Sequence, residues 1–458
     1  MKSSVLRVSA VAAAATLLLS ACATGTGGGS DDTSYDSKAA LTGTLSITGF
    51  TSTTDEIAQT RYDLAVKAVG DDVTVKSDES GFDIQTFLSA VAGKKAPDLI
   101  YLDRTTIGTL AAKNALEPLE ACMTGEGIDA GTFLDAPMSQ VTLDGTVYGV
   151  PEFNNVNIVI ADQNLLDAAG ASLADVDGSD WDALAAFAEK TAVVNGGAVS
   201  VLGYDTKMPE FFPLWAKANG IDILSADGKT ANLNDPKVVE AVEFAVGVYE
   251  SEGGYAAVKA AKDASDFFGA GNQYATDTLG GMPIEQWYAN VLSDVSPDAA
   301  LSFSTFKGQS GDVTSYSSGS AWAIPTGSKN KEAACRFIRT MTETDSWVAA
   351  AQARVDKFKD SGSLFTGLLT ANKDADAKIK DMVGTVDGTF ADAIAATYEA
   401  NDAAFTVPGN PADAEFKAAW TDAINRVLTG DMDAKASLDQ AQQEAQDALD
   451  TAWASFGK

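Results

Sequence analysis

Histidine is absent from all 458 residues. That removes Ser-His-Asp and Cys-His nucleophile systems, HExxH zinc sites and the imidazole general base. Of hydrolytic chemistries, the carboxylate-only kind used on glycans survives. Basic residues are scarce too: 32 Lys and Arg stand against 64 Asp and Glu, a net charge of −32. A chain so acidic has no electrostatic attraction to nucleic acid or to an anionic membrane face. There are three cysteines, and the only Gly-rich run, Gly25 to Gly29, opens no strand-to-helix turn, so no phosphate-binding loop is present. No cofactor or metal is expected. The only long apolar run, Val8 to Leu19, is too short to span a membrane.

That run follows Lys2 and Arg7 and ends in Leu19-Ser20-Ala21-Cys22, which together resemble a bacterial lipoprotein signal with its lipobox. Residues 1–21 are expected to be cleaved and Cys22 to be acylated, the modification that palmitate supplies. Loss of two bases and no acids takes the net charge to −34. A plain cleaved signal with a chance cysteine is the bland alternative. Residues 22–40, rich in Gly, Ser, Thr and Asp, cannot bury apolar surface and read as a tether. The expected location is the extracytoplasmic face of the cell membrane. Cys122 and Cys335 would share an oxidising compartment; a disulfide and two buried thiols are both open.

The mature chain exceeds one core and is organised around 144–166. Asp144-Gly145 is a hairpin-type turn, Val147 to Val150 a short strand that Pro151 ends, and Val156 to Ala161 a second β-rich run. Pro151 to Asn155 then reads as the floor of a cleft between two lobes. Before it, Thr44–Phe50, Asp72–Lys76 and Ala96–Asp103 are strands alternating with helical stretches 56–69, 84–92 and 106–114. After it come helices at 164–169, 181–191 and 236–249, a strand at 199–204, a loop-to-helix segment at 208–219, and strand then turn at 274–287. Strands at 300–306 and 320–324, a helix at 329–342 and a helical remainder complete an α/β, two-lobed reading.

Four segments, in order, resemble one family. They are Gly93-x-x-Ala96-Pro97-Asp98-Leu99-Ile100-Tyr101 with Ala115-Leu116-Glu117-Pro118-Leu119, then Asp144-Gly145-Thr146-Val147-Tyr148-Gly149-Val150-Pro151. Ile324-Pro325-Thr326-Gly327-Ser328-Lys329-Asn330-Lys331-Glu332-Ala333-Ala334 and Leu428-Thr429-Gly430 follow. The chain is similar to the extracellular solute-binding proteins of ABC importers, in the maltose-binding branch. The departure that stands out is Ala161-Asp162, where a Tyr-Asn pair is usual. The resemblance implies two α/β lobes that close on a carbohydrate, here an oligosaccharide, and deliver it to membrane permease subunits. It implies a monomeric binder, not an enzyme. Residues 41–150 with about 290–342 would form the first lobe, and 151–289 with about 343–458 the second.

Candidate ligand residues follow, each with a packing alternative. Trp287 matches a ring that stacks on sugar, or it simply packs at a helix start. Asp103 and Arg104 end a strand, where a carboxylate and a guanidinium can hold adjacent hydroxyls; a cap and a surface ion pair are the alternative. Asn155 lies on the crossing, beside Phe153 and Asn154, and its amide can donate and accept. Glu210 and Phe211 match an aromatic pair of the sugar binder, with Glu210 replacing the first ring. Phe416 matches another stacking position but has ordinary helix-face spacing to Trp420. Phe50 ends the first strand. Two rival readings remain: a binder of another solute such as a polyamine, and a glycan hydrolase built from Glu210, Glu285 and Asp103.

Overall fold

The structure is a computed structural model and describes residues 35–457; the expected leader and Cys22 lie outside them. Three strands, Val73–Asp78, Gly43–Thr48 and Leu99–Asp103, run parallel in that spatial order. Ser320–Ala323 adds to them antiparallel, and Val150–Pro151 forms the edge. Pro151 thus lies within the edge strand, where its missing donor costs no ladder bond. The Asp144-Gly145 turn joins Thr142–Leu143 to Thr146–Val147, both turn residues at positive φ (49° and 81°), as a primed hairpin turn requires.

The helix Glu56–Val69 covers this first sheet. Asp55 caps it, accepting from the Ala58 N–H at 2.8 Å, which satisfies an orphan donor. Its most buried stripe is Ile57, Arg61, Ala65 and Val69, whereas Leu64 and Ala68 are half-buried. Hydropathy could not predict a buried arginine there. Its reason is Glu152: the two form an ion pair with no solvent exposure. Arg61 also donates to the Met341 carbonyl at 3.2 Å and lies 3.7 Å from the Trp347 ring centre. The helix Lys331–Thr342 buries Ala333, Ala334, Phe337 and Met341 as its periodicity predicts. It is joined to the helix Glu120–Glu126 by a Cys122–Cys335 disulfide, which settles the open cysteine question.

The second sheet is smaller and antiparallel. Asn157–Asp162 is its wholly buried centre, flanked by Gly281–Glu285 and Leu301–Thr305. Helix Pro236–Ser251, capped by Asp235 with proline at its first position, adds Val239, Val242, Val246 and Tyr249 to the core beside it. The strand read at 199–204 instead pairs as Ala198–Val201 with Val193–Asn195 in a separate hairpin.

The 290–342 return to the first lobe is divided. Leu301–Thr305 belongs to the second sheet, and only Ser320 onward rejoins the first. Likewise Trp347, Ala350 and Phe358 of the following helix pack with Ile57, as do Ala375 and Ile379, so 343–383 lies against the first sheet's helices. The crossings at 151–157 and 315–320 run as a ribbon: the Asn155 N–H donates to the Ser318 carbonyl at 2.9 Å, and the Asn155 carbonyl accepts from the Ser318 N–H at 3.1 Å.

Candidate ligand-binding site

A cavity of about 720 Å³ opens beside this ribbon. The first sheet's side contributes Thr54, Asp55, Tyr101 and Ser320; the crossing contributes Phe153 and Asn155; the second lobe contributes Phe268, Trp287, Asn290 and Asp294. Close backbone approach shapes its floor. Gly319 sits at φ 146°, and a Cβ there would meet the Phe153 carbonyl at 2.3 Å, so only glycine fits.

Trp287 begins the helix Trp287–Val295, directly after the strand Gly281–Glu285. Its ring stacks with Phe268, centres 6.1 Å apart and planes 16° from parallel, and Phe267 braces it edge-on at 6.5 Å. Phe268 is 65% exposed. An uncovered aromatic face beside a half-buried tryptophan is suited to an apolar or C–H-rich ligand face. The polar complement is sparse. Asn155 spends its backbone on the ribbon, and its half-buried amide side chain lines the cavity. Arg354 and Lys357 also line the cavity but are already paired, Arg354 with Asp55 at 2.7 Å and with Glu56, Lys357 with Glu56 at 2.9 Å. Burial alone would raise the Glu56 carboxyl; Lys357 and Arg354 outweigh it and hold it below the usual range.

The other candidate residues lie elsewhere. Arg104 is fully buried and reaches both crossings, donating to Gln140 Oε1 at 2.8 Å, the Phe153 carbonyl at 2.6 Å and Ser317 Oγ at 3.2 Å. Burial lowers its pKa to about 10. Asp103 caps the turn that follows it, accepting from Thr105 N–H at 2.9 Å, and pairs with Lys417 at 2.8 Å. Phe416 is 1% exposed and borders a void of only about 20 Å³ shared with Arg104 and Trp420. Phe211 and Phe50 are core residues, the first among the second lobe's side chains, the second against Tyr101 and Trp322. Glu210 is exposed and paired with Lys207 at 3.2 Å. Glu285 is half-buried, and burial raises its carboxyl pKa. So Trp287 and Asn155 share the large cavity, and the three acids of the hydrolase reading do not line it.

Sequence reasoning missed Phe268 and Asn290. The first had a signal: Phe267-Phe268 stands in a polar, Gly-rich stretch, Ser265 to Asn272, where two adjacent rings have no helical face to fill. Among the described residues no cluster of metal-ligating side chains occurs, and no helix is long and apolar enough to cross a membrane.

A model of the bacterial extracellular solute-binding protein family matches residues 65–358, well over half of the chain. The chain belongs to that family. A maltooligosaccharide ABC transporter solute-binding lipoprotein of Streptococcus pneumoniae is 24% identical to this solute-binding protein, over 72% of this chain and 74% of its own. Among solved structures, CpMnBP1 bound to mannobiose superposes with a TM-score of 0.70 at 18% identity, covering 88% of this chain and 99% of its own. An ABC substrate-binding protein from Listeria monocytogenes, in complex with cycloalternan, gives 0.69 at 18% identity, with 89% and 99% covered. At such identities the likeness speaks to the fold, and it is the two-lobed fold of these binding proteins.

Proposed function

We propose that this protein is the solute-binding component of an ABC importer, that it captures an oligosaccharide between its lobes, and that Cys22 anchors it by lipid to the outer face of the membrane. The observation that carries the reading is the aromatic-walled cavity. Its volume of about 720 Å³ falls in the roughly 300–1,000 Å³ range of small-molecule clefts. Trp287 and Phe268 offer faces to pyranose C–H groups, while Asn155, Thr54 and Tyr101 offer hydroxyl partners. The relatives' named ligands, maltooligosaccharide, mannobiose and cycloalternan, support a sugar as cargo. Closure about the 151–157 and 315–320 ribbon would seal the ligand and present the closed form to the permease.

Thermal-shift and calorimetric titration of the purified protein against malto- and manno-oligosaccharides, polyamines and amino acids tests this. A sugar that binds only the folded state raises the melting midpoint, by ~2.7 kcal/mol of stabilisation at a hundredfold excess over Kd. A shift with one sugar series and no product released is the expected result. Silence with sugars and a response to polyamines keeps the binder and discards the cargo; product release restores the hydrolase. Retention of Cys22→Ala on the cell would discard the anchor.

A further inference from the structure

One wall of the cavity is neither helix nor sheet. Residues 362–372 run as a strap between the helices Thr344–Ser361 and Lys373–Val383, and Thr366 to Leu369 line the cavity. The far end of the strap is fixed to the hinge: Ala371 N–H donates to the Glu152 carbonyl at 2.5 Å, and the Asn372 side chain to the Thr342 carbonyl at 3.1 Å. Its middle has no ladder of its own. Phe365 enters the cluster of Ile57 and Trp347, whereas Leu369 enters the second lobe's core, so the strap bridges the two sides.

What holds the cavity-lining part is Asn290. Its amide donates from Nδ2 to the Gly367 carbonyl at 3.1 Å and accepts the Thr366 N–H on Oδ1 at 3.2 Å. It thereby replaces the peptide group that a neighbouring strand would supply. Ser293 adds one bond, to the Leu364 carbonyl at 3.0 Å. Asn290 stands three residues after Trp287 on one helix, hence on the same face. The stacking platform and the wall are therefore set in register by a single element.

We propose that the strap is the end wall of the ligand channel and that Asn290 positions it, so that this contact limits the length of carbohydrate the cleft accepts. The proposal rests on the carbohydrate reading above. A loosened strap opens the channel end to further sugar units while leaving Trp287 in place.

The test compares wild type, Asn290→Ala and Asn290→Asp, which keeps the acceptor for Thr366 N–H. Kd is measured for maltose through maltohexaose and mannobiose through mannohexaose, and amide hydrogen exchange is followed over 362–369. In Asn290→Ala the hexasaccharide-to-disaccharide affinity ratio should rise about fivefold or more, the worth of roughly one net hydrogen bond. Exchange at Thr366 should quicken, with Asn290→Asp between. An unchanged ratio with faster exchange overturns the length limit; unchanged exchange overturns the clamp. If wild type binds neither series, the carbohydrate reading falls and the length limit with it, while exchange still decides the clamp.

Discussion

Two corners of the space between the lobes differ in what their polar groups do. At one, residues 103–113 meet the start of the helix Asp413–Leu428. Asp413 accepts the Gly108 and Thr109 N–H groups at 2.7 and 2.9 Å, Lys113 pairs with Glu415 at 3.0 Å, and Lys417 pairs with Asp103 at 2.8 Å. A Cβ on Gly108 would meet the Asn410 carbonyl at 2.0 Å. The remaining void, about 20 Å³, holds little more than one water. At the other corner about 720 Å³ is open beside an exposed Phe268 and a half-buried Trp287. The family's residue pattern marks both corners alike; only the second leaves aromatic faces uncovered. A motif identifies a neighbourhood, and the neighbours decide whether a side chain packs or binds.

The largest effect expected from that difference is Phe416→Ala. Removing a ring packed against Trp420's helix face and the second lobe's core should cost about 3–5 kcal/mol of stability, read by denaturant unfolding. The Kd of the protein that remains folded should stay within about twofold for any bound sugar, a change smaller than ~1 kcal/mol. The converse substitution, Trp287→Ala, should weaken binding about 30-fold or more, roughly 2 kcal/mol, as central aromatic anchors do. Its melting midpoint should fall less than that of Phe416→Ala. Equal sugar affinity in Trp287→Ala and wild type would remove the tryptophan from the site.

The contrast also shows what could be read in the residues. The helix Pro236–Ser251 was legible because its apolar period, Asp cap and first-position proline agree. The cleft floor at Pro151–Asn155 was legible from turn, strand and proline together. The role of Arg104 was not: a charge at a strand end looks available, yet its burial depends on acceptors at 140, 153 and 317, none near it in sequence. Arg61 is the same case, its partner Glu152 lying 91 residues away. Phe211 and Phe416 look alike in sequence whether they face a ligand or a core. Asn290 had no signal, because its partners are main-chain atoms of a loop without periodicity.

A smaller effect distinguishes the sealed corner by pH. Burial pushes the Asp413 carboxyl up to about 7, against the lowering from its Thr109 and Gly108 partners. The folded protein then holds this proton more tightly than the unfolded chain, whose aspartates titrate near ~3.9. Stability contributed by the group is complete below pH ~4 and is lost as pH rises through about 7. Asp413→Asn should remove up to ~1.4 kcal/mol per pH unit of that slope. Asp162 and Asp376, also raised to about 7 by burial, keep theirs, so the variant's curve should flatten only in part. A slope identical to wild type between pH 4 and 7 would mean that Asp413 stays ionised, its charge held by the two N–H groups.

The smallest effect asks whether Asp103 belongs to the sealed corner at all. Asn is as good a cap as Asp, so Asp103→Asn keeps the bond from Thr105 N–H and loses only the charge facing Lys417. Both partners are nearly half exposed, and such pairs are worth ~0.2–1 kcal/mol. Asp103→Asn and Lys417→Met should each shift unfolding by less than ~1 kcal/mol, and the double variant by less than their sum if the pair is real. Sugar affinity separates the two roles. A structural Asp103 leaves Kd unchanged in both variants. A carboxylate that holds ligand hydroxyls would lose at least about tenfold in Asp103→Asn, the worth of one charged hydrogen bond, and nothing in Lys417→Met. That outcome would move the ligand into the corner that the helix Asp413–Leu428 now fills, and the two corners would have to open together.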